Sequence, residues 1–146
     1  MTPTDSPTPF RHTLRVYWED TDAGGVVFYA NYLKFFERAR TEWLRAAGFE
    51  QQRLAHEQGL QFVVARIECD YRRPARLDDL IQLDVRVVQA GRASVVFEQV
   101  ARRGDEVLAV ARIRAGCVDT RTLAPKAMPA PMLEAMKNMA FNERIR

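Results

Sequence analysis

The sequence predicts an α+β fold, with one long helix lying on a five-stranded antiparallel sheet. Two patterns predict it. Between residues 29 and 47 apolar side chains recur at helical spacing, and after residue 60 they alternate with polar ones in four successive runs. The runs are joined mostly by short turns, which favours antiparallel neighbours over parallel crossovers. The chain has 146 residues, one domain's worth.

Residues 1–10 hold three prolines and read as a loose leader. From Thr13 to Trp18, Leu14, Val16 and Trp18 alternate with Arg15 and Tyr17, the pattern of a first strand. An acidic, glycine-bearing loop follows, Glu19 to Gly25. The long helix is expected from about Tyr29 to Ala47. Tyr29, Tyr32, Leu33, Phe36, Ala39, Trp43 and Ala47 form its apolar stripe, and Lys34, Arg38, Thr41 and Arg45 its opposite face. Gly48 suits the left-handed position that ends a helix. A short helix over Gln51–Gln58 is expected to end at Gly59.

Four strands are expected next. In Phe62–Arg72, Val63, Ala65, Ile67, Cys69 and Tyr71 share a face. Leu80–Gln89, Ser94–Arg102 and Val107–Asp119 complete the series, with turns at Gly91 and Gly104-Asp105. In the last, Val107, Ala109, Ala111, Ile113, Ala115 and Cys117 share a face, and the other carries Leu108, Val110 and Val118. A partly apolar outer face suits a subunit interface, so a homo-oligomer is expected. Pro129 to Met139 predicts a short helix with Met132, Met136 and Met139 packed on one side. The expected organisation is a leader at 1–10, one domain over 11–128 and a C-terminal short helix or tail at 129–146.

Composition removes several functions. Net charge is only +3, with 22 basic residues scattered against 19 acidic, which does not argue for a nucleic-acid partner. No apolar run approaches the roughly 20 residues of a membrane span, and Met1 to Pro9 lacks a signal pattern, so a cytoplasmic protein is expected. Cys69 and Cys117 read as buried free thiols, and without a Cys/His cluster no zinc site is expected. Neither Ser6 nor Ser94 lies in GxSxG, and GxGxxG and P-loop patterns are missing. His12 and His56 read as surface or helix-end residues.

What remains is Glu19-Asp20-Thr21-Asp22 before the helix. A helix start exposes unpaired N–H groups and carries partial positive charge, so it can polarise a carbonyl. A carboxylate beside it can act as nucleophile or general base. Spacing alone favours Asp22 as a cap of the helix or its turn, and leaves a divalent cation held by Asp20 and Asp22 as a weaker alternative.

Tyr17-Trp18-Glu19-Asp20-Thr21-Asp22-Ala23-Gly24-Gly25-Val26-Val27-Phe28-Tyr29-Ala30-Asn31-Tyr32 resembles the signature of the 4-hydroxybenzoyl-CoA thioesterase family. Phe35 to Leu44 and Tyr71-Arg72-Arg73-Pro74-Ala75-Arg76-Leu77-Asp78-Asp79 narrow the resemblance to its YbgC branch, acyl-CoA thioesterases associated with the Tol-Pal system. The resemblance covers about residues 12–122. It implies a hotdog fold, a sheet wrapped around one long helix. It implies Asp22 as catalytic carboxylate and the Tyr29 backbone N–H as the group facing the thioester carbonyl. Gly25 and Val26 fall in the turn that positions that helix end, and Asn31 and Tyr32 lie near the site. Other subfamilies place the carboxylate as a Glu on the long helix, where this chain has Glu37 and Glu42. The family contacts coenzyme A through basic and small residues at strand ends, often across a subunit interface; Arg73, Arg92 and Ser94 are the candidates here, each equally readable as an exposed arginine or a strand serine.

Thioester hydrolysis of acyl-CoA follows, with Asp22 either attacking the carbonyl or activating water. No cofactor is implied, since coenzyme A is part of the substrate. Acyl carrier protein is an expected alternative partner, and a homodimer or homotetramer the expected assembly. The alternatives are a non-catalytic acyl-CoA or acyl-carrier-protein binding module, and enoyl hydration, which pairs Asp with a His; the nearest here is His12.

Overall fold

The structure, a computed structural model, describes residues 10–144, with side chains through Met139. The expected leader falls at residues 1–9 outside the described residues, and Phe10 already belongs to the first strand. In chain order the elements are β1 (Phe10–Arg15), a 3-10 turn (Trp18–Asp20), α1 (Asn31–Ala46), α2 (Gln51–Gln58), β2 (Leu60–Tyr71), β3 (Leu80–Gly91), β4 (Ser94–Arg103), β5 (Glu106–Asp119) and α3 (Ala130–Arg144). All strand pairs are antiparallel and the sheet order is β1-β3-β4-β5-β2. The α+β expectation holds: five antiparallel strands with the long helix α1 against them, joined by a second helix of similar length, α3.

Alternation sorts each strand into an inner and an outer face. Ile81, Leu83, Val85 and Val87 of β3, Val95, Phe97 and Ala101 of β4, and Ala109, Ala111, Ile113, Ala115 and Cys117 of β5 are all buried. They form one core with Phe35, Phe36, Ala39 and Trp43 of α1. Gln99 is fully buried within it and satisfied: its amide donates to the Phe36 carbonyl at 3.0 Å, and Arg40 donates to its oxygen at 2.9 Å. A buried amide left unpaired would be costly, so this pair fixes α1 on the sheet. Met132 and Met136 of α3 are buried in the same core, as expected, and α3 packs along β3. The helix is longer than its expected bounds.

Three local expectations are corrected. The first strand is shifted toward the N-terminus. Leu14 and Val16 point inward, but Trp18 is 78% exposed. The Asp20 carboxylate accepts the Tyr17 N–H at 2.8 Å and folds the chain into the 3-10 turn, a local bond that competes with the ladder. α1 begins at Asn31, so Tyr29 is an exposed turn residue, and Ala47 is exposed too. In β2 a bulge falls between Val64 and Arg66. It puts Val64 and Phe62 on the face of Ile67, Cys69 and Tyr71, and Val63 on the other.

β2 is an edge strand, and its Val63, Val64, Ile67 and Tyr71 remain exposed. By contrast Leu108 and Val118 of the outer face are buried within the chain, so less apolar surface faces outward there than the alternation suggested. Gly48 and Gly59 both take positive φ at helix ends, as expected. Among the described residues no helix is long and apolar enough to cross a membrane.

Candidate active site

The loop from Asp20 to Ala30 is held by a set of hydrogen bonds and by Val27, which is buried in the core. The Asp20 carbonyl accepts the Phe28 N–H at 3.0 Å and the Asn31 side-chain amide at 2.9 Å, which closes the loop at its base. Thr21 bridges Val27, and the Asp22 N–H donates to the Val26 carbonyl at 2.9 Å. The tip turns where the Gly25 N–H donates to the Asp22 carbonyl at 3.0 Å. Gly25 has φ +82°, which an L side chain rarely adopts. A second segment supports the loop from beneath. The Val27 N–H donates to the Ala75 carbonyl, Val26 bridges Arg76, and the Ala75 N–H donates to the Tyr32 hydroxyl at 3.0 Å.

Asp22 is exposed near the tip. Its Oδ1 accepts the Gly24 N–H at 2.8 Å, and its Oδ2 has no partner among the described residues. It does not cap α1, whose N-cap position is Ala30 without a side-chain bond. It therefore braces its own turn with one oxygen and leaves the other available. Asp20 differs, because its carboxylate is bound back to Tyr17.

At the helix start, Asn31 donates to the Phe28 carbonyl, Tyr32 to Tyr29 at 3.4 Å and Leu33 to Ala30 at 3.1 Å. The N–H groups of Tyr29 and Ala30 meet no acceptor among the described residues. Two unpartnered donors at the positive end of a 16-residue helix are suited to a carbonyl oxygen that gains charge.

Beside them an open groove of about 260 Å³ is lined by Val27, Tyr29, Tyr32, Tyr71, Arg73 and Pro74. The Tyr71 hydroxyl donates to the Tyr29 carbonyl at 2.9 Å. Partial desolvation, and after it the neighbouring Cys69, push the Tyr71 phenol up to about 12. Burial also raises Tyr32, against the opposing effect of the Ala75 N–H. Asn31 and Tyr32 both use their polar atoms to hold the loop. The sequence places Tyr71 on a strand and at the head of the segment that narrows the resemblance, but gives it no role at the site. The available signal was its place at the end of β2, on the face of Cys69, just before Arg72-Arg73-Pro74.

The remaining expected residues are dispersed. Arg73 stands at the groove and pairs with Glu106 at 3.3 Å. Arg92 and Ser94 lie at the β3–β4 hairpin, at the opposite end of the ten-residue β4. At about 3.3 Å per residue that is roughly 30 Å away. Within one chain Arg73 is not brought together with Arg92 and Ser94. Glu37 lines a separate groove of about 280 Å³ between α1 and β2, with Arg40, Leu44, Phe62 and Phe97. Glu42 is bound to Arg45.

Residues 24–113 match the Thioesterase superfamily. The chain is 45% identical to the acyl-CoA thioesterase YbgC of Haemophilus influenzae, over 89% of this chain and 96% of that protein. It is 41% identical to the acyl-CoA thioester hydrolase YbgC of Escherichia coli O157:H7, over 89% and 97%. Among solved structures, a probable thioesterase from Bartonella henselae superposes with a TM-score of 0.79 at 35% identity, over 84% of this chain and all of that one. With the sheet, the long helix and a carboxylate loop at its open end in place, the chain belongs to the thioesterase superfamily.

Proposed function

We propose that this chain hydrolyses acyl-CoA thioesters to a free acid and coenzyme A. The observation that carries the reading is the loop between Asp20 and Ala30. It presents one free carboxylate oxygen of Asp22 and the unpartnered N–H groups of Tyr29 and Ala30 on a single hydrogen-bonded scaffold. YbgC relatives named as acyl-CoA thioesterases support the substrate class.

The thioester oxygen would sit against the Tyr29 N–H, where growing negative charge is stabilised. Asp22 then acts in one of two ways. As nucleophile it attacks the acyl carbon, the C–S bond breaks, coenzyme A leaves as thiolate, and water cleaves the resulting anhydride. As general base it takes a proton from water, whose oxygen attacks the acyl carbon and expels the thiolate. Gly25 and Val26 shape the turn that keeps Asp22 in place, and Asn31 and Tyr32 anchor it.

The full site is proposed to need two subunits. β2 offers an open edge with exposed apolar side chains, which favours pairing with a second copy. Antiparallel pairing of two β2 edges would set one subunit's Tyr71 end beside the other's Leu60 end. The second subunit's Ser94 would then lie three strand spacings away, on the order of 15 Å. Arg73 of one subunit and Arg92 and Ser94 of the other could then address one coenzyme A. A tetramer would add contacts between the outer faces. Acyl carrier protein, which presents the same pantetheine thioester, is a second acyl donor, and the Tol-Pal association rests on the resemblance to the YbgC branch.

The reading is tested by thiol release from a panel of short, long and aromatic acyl-CoAs, alongside sedimentation equilibrium. Turnover of at least one class by a species of two or more chains is expected. Binding without turnover across the panel would leave a binding module instead. A stable 16.8 kDa species at micromolar concentration would overturn the two-subunit site.

A further inference from the structure

We propose that Tyr71 is a positioning residue for the carbonyl-binding turn, its phenol holding the Tyr29–Ala30 peptide in the orientation that aims the free N–H groups. The inference rests on the hydrolase reading above and deepens it. Tyr71 lies 42 residues along the chain from Tyr29, on the last position of β2, yet its hydroxyl donates to the Tyr29 carbonyl at 2.9 Å. The helical donor to that carbonyl, the Tyr32 N–H, is 3.4 Å away, so the phenol is its closer partner. Helix geometry alone therefore holds this peptide loosely, and the sheet supplies the fixed contact.

The ring is held on two sides. Its centroid lies 6.1 Å from that of Tyr29 and 5.4 Å from that of Tyr32, both edge-on. Cys69 lies two residues earlier on the same strand face. A phenol pushed up to about 12 keeps its proton across the working pH range and remains a donor.

The consequence follows from the peptide unit. The Tyr29 carbonyl and the Ala30 N–H belong to one plane and point in opposite directions. A donor fixed on the carbonyl fixes the N–H direction and strengthens its polarity. The Tyr29 N–H is one rotatable bond pair away, so its direction depends on the same anchor. Stabilisation of developing charge depends on donors that need no reorganisation as the reaction proceeds.

Tyr71→Phe keeps the ring contacts and deletes one O–H. The expected result is a fall in kcat of about 10-fold, a fraction of the loss expected for deleting a direct donor. KM for acyl-CoA should stay within twofold. In the same variant the Ala30 amide nitrogen resonance should move. Placing 3-fluorotyrosine at position 71, which retains the O–H, should keep kcat within twofold and the resonance in place. No phenol limb should appear in the wild-type pH–rate profile below pH 10. Wild-type protein inactive on the whole panel would defeat the hydrolase reading. Active wild type with Tyr71→Phe turnover within twofold, or with the Ala30 resonance unmoved, would overturn the positioning role alone. If Tyr71→Phe does not fold, the fluorinated protein decides: loss of turnover there, with the O–H kept, also overturns it.

Discussion

Phe36 and Asn31 stand on the same helix, five positions apart, and are held by different forces. Phe36 is fully buried in the core between α1 and the sheet. Its place is set by apolar burial and close packing, which many neighbours share. Asn31 is half-buried at the helix start, and its amide holds the loop closed through a single bond to the Asp20 carbonyl. The core carries stability and little chemistry. The loop carries the chemistry on specific hydrogen bonds, exposed at its tip and partly or fully buried at its base. Changes in the two regions should therefore separate into losses of folding and losses of turnover.

The largest stability loss is expected in the core. Phe36→Ala should cost about 3–5 kcal/mol in urea unfolding. The fraction that remains folded should keep wild-type turnover. A specific activity that falls in step with a small stability loss would erase the distinction between the regions. Asn31→Ala is expected to do the reverse. It removes one neutral hydrogen bond, about 1 kcal/mol, but frees the base of the loop that carries Asp22. Its kcat should fall more than its stability does, and wild-type kcat would show that the remaining backbone bonds suffice to hold the loop.

The smallest effect concerns the segment beneath the loop. Burial alone would raise the Asp79 carboxyl, but the Arg76 N–H at 2.8 Å and the Arg103 guanidinium at 2.6 Å outweigh it and hold it below the ordinary value. A carboxyl depressed by folding stabilises the protein above its unfolded-state pKa, and that contribution is lost as pH falls through the folded value. Unfolding measured from pH 5 down to pH 2 should show such a loss, of about 1 kcal/mol or less. Asp79→Asn should flatten it. An unchanged slope would mean that other carboxylates carry the acid limb.

The two regions also differ in how far the sequence revealed them. The interior strands and α2 follow their patterns, because one face is buried and the period of two, or of 3.6, is enforced by the core. The α2 bounds, Gln51–Gln58, coincide with the expected ones. β2 was harder, since Val63, Val64 and Ala65 are all apolar and an edge strand exposes both faces. Nothing in such a run marks where a bulge falls. The first strand was misplaced because the Asp20 bond to Tyr17 is a local preference that alternation does not show. At the candidate site, Asp22 and the glycine turn were legible, since they form one contiguous motif. The Tyr71 and Ala75 supports were not, because both reach the loop from more than 40 residues away in the chain.

Asp22→Asn tests the central claim most directly, with turnover measured on the best acyl-CoA of the panel. The amide can still accept the Gly24 N–H, so folding and acyl-CoA binding should persist. A nucleophile or general base cannot survive the change, and kcat should fall by at least about 10²-fold. Asp20→Asn, at a carboxylate already committed to Tyr17, should lose far less. Near-normal turnover in Asp22→Asn, with turnover abolished in Glu37→Gln or Glu42→Gln, would contradict the account and move the catalytic carboxylate onto α1.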